Sequence, residues 1–153
     1  MDADEVARRS AQAMWSNDDA SKWLGARLDA VGPGWATMSL TVAKHHTQGH
    51  DMCHGGFITT LADSAFAFAC NSYNEITVAQ HIAVSFVASA WEGDVLTAEA
   101  RELHRRGRSG LYDITVRNQK GELIAEMRGA SRTIKGRHFD PDAAEAAETE
   151  ETR

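Results

Sequence analysis

A chain of 153 residues, 42% hydrophobic and 25% charged, has the length of one domain and enough apolar residues to bury a core. No apolar run approaches the roughly 20 residues that cross a bilayer, and the opening MDADEVARRS lacks the basic-then-apolar order of a secretory leader, so a cytoplasmic protein with no membrane partner is expected. The net charge of −6 sits mostly in the tail, where Asp140 to Arg153 hold six acids and one base; no nucleic-acid footprint and no basic membrane-binding helix is visible.

Residues 3 to 24 read as helical, with a break near SNDDAS. GARLDAVGPG, with Gly32, Pro33 and Gly34, reads as a turn cluster. WATMSLTV alternates: Ala36, Met38, Leu40 and Val42 fall on one face and Trp35, Thr37, Ser39 and Thr41 on the other, the pattern of a half-buried strand. A polar, histidine-rich segment from 43 to 54 then leads into Gly55-Gly56 and a long apolar helix reaching Asn71. Four strands follow, in TVAQHIAVSFVA, DVLTAEARELH, SGLYDITVRN and ELIAEMRGASRTI, separated by the turn signals SAWEGD, RRGRSG and NQKGE. Residues 1–136 form one domain. Residues 137–153, acidic and low in complexity, are expected to be solvated and disordered. Cys53 and Cys70 make no disulfide framework and are expected as free thiols.

Four consecutive strands with short connections pair antiparallel, so the class is α+β, one long helix against an antiparallel sheet. A helix apolar on all sides needs cover on more than one side. A curved sheet wrapped around it and a second copy of the chain would supply that.

Asp63 stands in the middle of this helix, with Thr59, Phe66 and Ala67 three or four positions away and Cys70 seven away on the same face. Apolar surroundings strip water from a carboxylate and raise its pKa, which suits a base or a nucleophile. At the helix start, His54, Gly55 and Gly56 offer free backbone N–H groups along a favourable dipole, with room for a carbonyl to approach. Gln48 and His50 in the preceding loop add side chains that hydrogen-bond. Gly55 and Asp63 lie roughly 12 Å apart along one helix, too far to act on one carbonyl. Two copies related by a two-fold axis would bring Gly55 of one beside Asp63 of the other.

GHDMCHGGFITTLADSAFAFACNS and the stretch from WEGD to SRTI, within a match spanning about residues 5 to 135, strongly resemble the hotdog-fold acyl-CoA thioesterases of the phenylacetic-acid-degradation (PaaI) type. The resemblance implies a central helix sheathed by a five- or six-stranded antiparallel sheet. It implies a homodimer with a continuous sheet, and two dimers joined as a homotetramer. The implied activity is hydrolysis of acyl-coenzyme A, with phenylacetyl-CoA or hydroxyphenylacetyl-CoA as the expected substrate and no metal or cofactor beyond the coenzyme A of that substrate. It gives Asp63 the part of nucleophile or base for water, Gly55 that of carbonyl-polarising N–H, and His54 that of ordering the loop. Gln48 stands where relatives commonly carry asparagine, one methylene longer than the family's amide. Gly56 belongs to the same substrate-facing helix start, Phe57, Phe66 and Ile82 are candidates for the acyl pocket or equally for the core, and Arg105, Arg106 and Arg108 match surface contacts to the phosphates of coenzyme A.

Other readings start from the same residues. His45, His46, His50, Cys53 and His54 could ligate zinc, although their spacing matches no standard pattern. A hotdog hydratase pairs its aspartate with a histidine five residues on, where this chain has Phe68. Ser64 lies outside any G-x-S-x-G elbow, which disfavours a serine hydrolase. An acyl-CoA-binding protein without turnover is the remaining alternative.

Overall fold

The structure, a computed structural model, describes residues 1–152. Helix α1 (Ala3–Ser16) starts where the Asp2 carboxylate accepts the Glu5 N–H at 2.9 Å. Its sequel α2 (Asp19–Leu24) starts at Asp18, which accepts the Ser21 N–H, and stops at Gly25 with φ 85°. The expected break thus arises because Asp18 caps a new helix instead of continuing the old one.

The turn read at Gly32, Pro33 and Gly34 is present, and the residues before it form a strand that the sequence pattern does not show. β1 (Arg27–Gly32) pairs with β2 (Trp35–Thr41) through the Pro33-Gly34 turn, Gly34 having φ 76°. A bulge between Leu28 and Ala30 breaks the period of two, which hides the strand from a pattern search. After a 3₁₀ turn at Lys44–His46 come α3 (Gly55–Cys70), β3 (Thr77–Phe86), β4 (Val95–Arg106), β5 (Ser109–Arg117) and β6 (Leu123–Thr133). All six strands form one antiparallel sheet in the order β1-β2-β4-β5-β6-β3.

Helix α3 packs mainly on the inner face of β2, β4 and β5. Alanines at 36, 98 and 100, all fully buried, let the helix approach the sheet, and Leu61, Phe66, Phe68, Tyr112 and Ile114 fill the layer between. Each large side chain taken out of water here contributes about 1.5–3 kcal/mol. The Phe66 ring lies over Gly129 of β6, where a Cβ would come within 2.8 Å of it.

The cover is one-sided. β3 ends the sheet with an unpaired edge, and Val78, Ile82 and Phe86 on it are exposed. On α3 the uncovered stripe runs through Gly56, Thr60, Asp63 and Ala67, none of them buried.

The acidic segment expected to be disordered carries a helix, α4 (Pro141–Glu151). Asp140 caps it with Pro141 at the first turn, and alanines favour its interior. Its acids meet the basic side of the chain's start: Glu148 pairs with Arg9, and Glu145 lies 3.6 Å from the Met1 amino group. Arg153, the last residue of that segment, lies outside the described residues. No helix among the described residues is long and apolar enough to cross a membrane.

Candidate active site

His54 has extended backbone angles, φ −63° and ψ 131°, and caps α3. Its ring folds back so that Nδ1 accepts the Gly56 N–H at 2.9 Å. A Cβ on Gly56 would stand 3.0 Å from that nitrogen, so the glycine makes room for the cap. The Gly55 N–H, one position earlier, has no hydrogen-bond partner among the described residues. It lies at the positive end of a 16-residue helix, where a developing negative charge is stabilised.

The loop before the helix is a small folded unit. Gln48 N–H donates to the Met52 carbonyl at 2.9 Å and Asp51 N–H to the Gln48 carbonyl at 3.2 Å, with Asp51 at φ 60°. Cys53 N–H donates to the Ala90 carbonyl at 2.7 Å, fixing the loop against the turn after β3. A cleft of about 330 Å³ opens here, lined by Gln48, Met52, Gly55, Ile58, Phe86 and Ser89 among others. Gln48 and Gly55 therefore share one cleft. A larger hollow beside α1 is lined by Arg8, Arg9 and Glu148 among others, where Arg9 pairs with Glu148 and both arginines pair with Glu5.

Asp63 is half-buried, two turns down the helix from Gly55 and outside the lining of that cleft. Burial holds its carboxyl above the ordinary 3.8. A carboxylate kept for structure would be held by hydroxyls or backbone N–H groups, and Asp63 has no such partner among the described residues. The nearby hydroxyls are directed elsewhere: Thr59 to the Gly55 carbonyl at 2.8 Å, Thr60 to the Gly56 carbonyl at 2.9 Å, and Ser64 to Ser21 at 2.9 Å. Within one chain the structure does not bring Asp63 and Gly55 together.

Other candidates divide. Phe66, a candidate for the acyl pocket or the core, is only 1% exposed and packs on Tyr112 with ring centroids 5.4 Å apart, so it belongs to the core. Phe57 is half-buried and backs the loop, 5.3 Å from the His46 ring and 6.0 Å from that of His54. Ile82 is exposed on β3. Arg105 is engaged inside the chain, its guanidinium 3.5 Å from the centre of the Tyr73 ring and within 4 Å of Glu75 and Glu102. Arg106 and Arg108 are exposed and make no ion pair among the described residues. Sequence reasoning missed Phe86, whose ring a Gly55 Cβ would meet at 2.9 Å. Its position four residues beyond Ile82, on the same face of β3, was the available signal.

Three of the five alternative zinc ligands are engaged or held in the wrong form, and the described residues contain no cluster of three or more such groups. Both His46 ring nitrogens bond backbone groups, His54 Nδ1 holds Gly56, and burial pushes the Cys53 thiol up to about 11.

With this geometry in hand, known proteins place the chain. Residues 50–125 match the thioesterase superfamily. The chain is 39% identical over 130 residues to the acyl-coenzyme A thioesterase PaaI of Escherichia coli (strain K12), a match covering 85% of this chain and 93% of that one. The solved structure of the E. coli PaaI protein from the phenylacetic acid degradation operon superposes with a TM-score of 0.87 at 38% identity, covering 89% of this chain and 99% of that one. A variant of the phenylacetic acid degradation protein PaaI from Thermus thermophilus superposes with a TM-score of 0.74 at 30% identity, covering 76% and 100%.

Proposed function

This chain belongs to the thioesterase superfamily, and from that premise we propose that it hydrolyses acyl-coenzyme A thioesters at a site completed by two subunits. One observation carries the reading: a half-buried carboxylate lies on the same helix as a backbone N–H, both without a hydrogen-bond partner among the described residues and too distant for one substrate to reach both. An antiparallel second helix removes the mismatch. The partner surface is β3, whose free edge and exposed Val78, Ile82 and Phe86 suit pairing with the same strand of a second copy, making a homodimer with one continuous sheet. Association of two such dimers gives the proposed homotetramer.

In the reaction the thioester oxygen accepts the Gly55 N–H. Asp63 of the partner subunit either attacks the carbonyl carbon, forming a mixed anhydride that water then cleaves, or takes a proton from water as that water attacks. Both routes pass through an oxyanion that the Gly55 N–H and the helix dipole stabilise, and both release coenzyme A as its thiolate. The raised pKa makes Asp63 a better proton acceptor than an exposed aspartate, and activity falls on the acid side as that carboxyl is protonated. His54 keeps Gly56 occupied so that Gly55 alone faces the substrate. Gln48 reaches the same cleft with an amide. Arg106 and Arg108 are proposed to meet the phosphates of coenzyme A. The chemistry as written uses side chains, a backbone amide and water, with no added metal or cofactor.

The proposed acyl group is phenylacetyl or hydroxyphenylacetyl, because the E. coli relative is a coenzyme A thioesterase from a phenylacetic acid degradation operon. The test is thiol release from phenylacetyl-CoA by the wild type and by Asp63→Asn, after sedimentation shows equal assembly. Turnover in the wild type that collapses in the variant is the expected result. Tight binding without thiol release in either would instead indicate an acyl-CoA-binding protein.

A further inference from the structure

The Gly55 end of the site rests on a side chain that the reaction leaves untouched. His46, in the 3₁₀ turn Lys44–His46, is 1% exposed and has both ring nitrogens engaged. Its Nδ1 lies 2.9 Å from the Ala43 N–H and its Nε2 2.8 Å from the Leu24 carbonyl oxygen at the end of α2. A backbone N–H can only donate and a carbonyl can only accept, so the ring is the neutral tautomer with its hydrogen on Nε2. The main chain of the same residue then carries the constraint onward. The His46 carbonyl accepts the His54 N–H at 2.8 Å, and the His54 ring holds Gly56. Leu24, His46, His54 and Gly56 are thus connected by consecutive hydrogen bonds, and the Gly55 N–H is left facing outward.

We propose that His46 is a positioning residue whose neutral imidazole aims the Gly55 N–H, and that protonating it disarms the site. The aiming role rests on the thioesterase reading above. A proton on Nδ1 would set two donors against each other across 2.9 Å, so the ring must release Ala43 and the turn must shift. The titratable group facing the imidazole is His45 of the same turn, with ring centroids 4.0 Å apart; α2 presents the Leu24 carbonyl and α3 the Phe57 ring. Burial, together with the neighbouring His45, holds the His46 pKa below its ordinary 6.5, which keeps the neutral form at working pH.

Two variants that do not titrate test this. His46→Gln keeps a donor for Leu24, and His46→Asn keeps an acceptor for Ala43. Displacing the oxyanion donor by a fraction of an ångström predicts kcat lowered about tenfold, and no more than ~10²-fold, with KM within about twofold of wild type. The pH profile of kcat separates positioning from plain stability. As pH falls through both pKa values the wild type loses more than tenfold and up to about 100-fold per pH unit, because protonating His46 adds its loss to that of Asp63, whereas the variants lose no more than about tenfold per unit. Hydrogen exchange of the 43–56 segment, corrected for intrinsic rates, reads the latch without turnover. Protection should fall about tenfold or more as the wild type is acidified through the His46 pKa, and should stay flat in His46→Gln. Variants that keep the wild-type acid slope, or exchange that ignores pH, would overturn the proposal. Exchange that follows His46 in a protein releasing no thiol would keep the latch and overturn the thioesterase reading instead.

Discussion

Strands β5 and β3 flank β6 through the same kind of antiparallel ladder, yet their surroundings differ. β5 alternates, with Tyr112, Ile114 and Val116 buried under α3. β3 is exposed everywhere except at Thr77 and Val84, although Val78, Ile82 and Phe86 are as apolar as anything on β5. Alternating hydrophobicity tells which face of a strand is apolar; it does not tell what covers that face. On β5 the chain provides the cover itself, and the strand works for stability. On β3 and on the Asp63 side of α3 the cover is left to something else, and there the chemistry-bearing groups collect.

If that division is right, a change on the uncovered side should cost activity and spare the fold. Asp63→Asn is the strongest case, with kcat expected to fall about 10²–10⁴-fold. The same variant should melt at a higher temperature at pH 7. Burial raises the folded carboxyl above its ordinary 3.8, so the ionised group opposes folding at neutral pH. That burden is absent below 3.8, where both states are protonated, and grows as pH rises through the folded pKa. The melting advantage should therefore vanish in acid, as calorimetry at several pH values would read. Asp63→Asn that loses both activity and stability would break the division.

Ile114→Ala is the reverse case. Truncating a fully buried side chain on β5 should cost about 2–5 kcal/mol in denaturant unfolding while leaving kcat of the folded fraction unchanged. Ile82→Lys on β3 should barely alter the stability of the single chain. By sedimentation the homodimer should dissociate at least about tenfold more readily, since a two-fold interface counts each substitution twice, and activity should fall in step with dimer content. The smallest effects are expected at the β4–β5 turn. Arg106→Ala and Arg108→Ala should each raise KM for the coenzyme A ester a few-fold, on the order of 1 kcal/mol or less, and the difference should shrink in high salt. Arg105→Ala should act differently, because Tyr73 and Glu102 already engage its guanidinium.

What the sequence could disclose followed from how local each signal is. Asp63 stood out because a carboxylate among alanines and phenylalanines is visible within one helical turn, and the His54-Gly55-Gly56 start because capping is a short-range event. β1 was hidden because its bulge shifts Leu28 and Val31 out of alternation. α4 was hidden because acidic composition suggested solvation, while the basic residue that receives Glu148 lies at the other end of the chain. Phe66 and Ile82 looked alike as pocket candidates, and separating them required the sheet order that places Gly129 beneath one and leaves the other at an edge. His46 read as one of several histidines near a helix start. Its part depends on the Leu24 carbonyl, 22 residues away.

The contact between Phe66 and Gly129 has a bearing on how such a chain can diverge. A methyl group at 129 would press on the aromatic ring at 2.8 Å, and a smaller residue at 66 would leave a void above the strand. Neither position can drift alone without loss. Relatives that change one should be found to have changed the other, so the two columns should vary as a pair across descendants although they stand far apart in the chain.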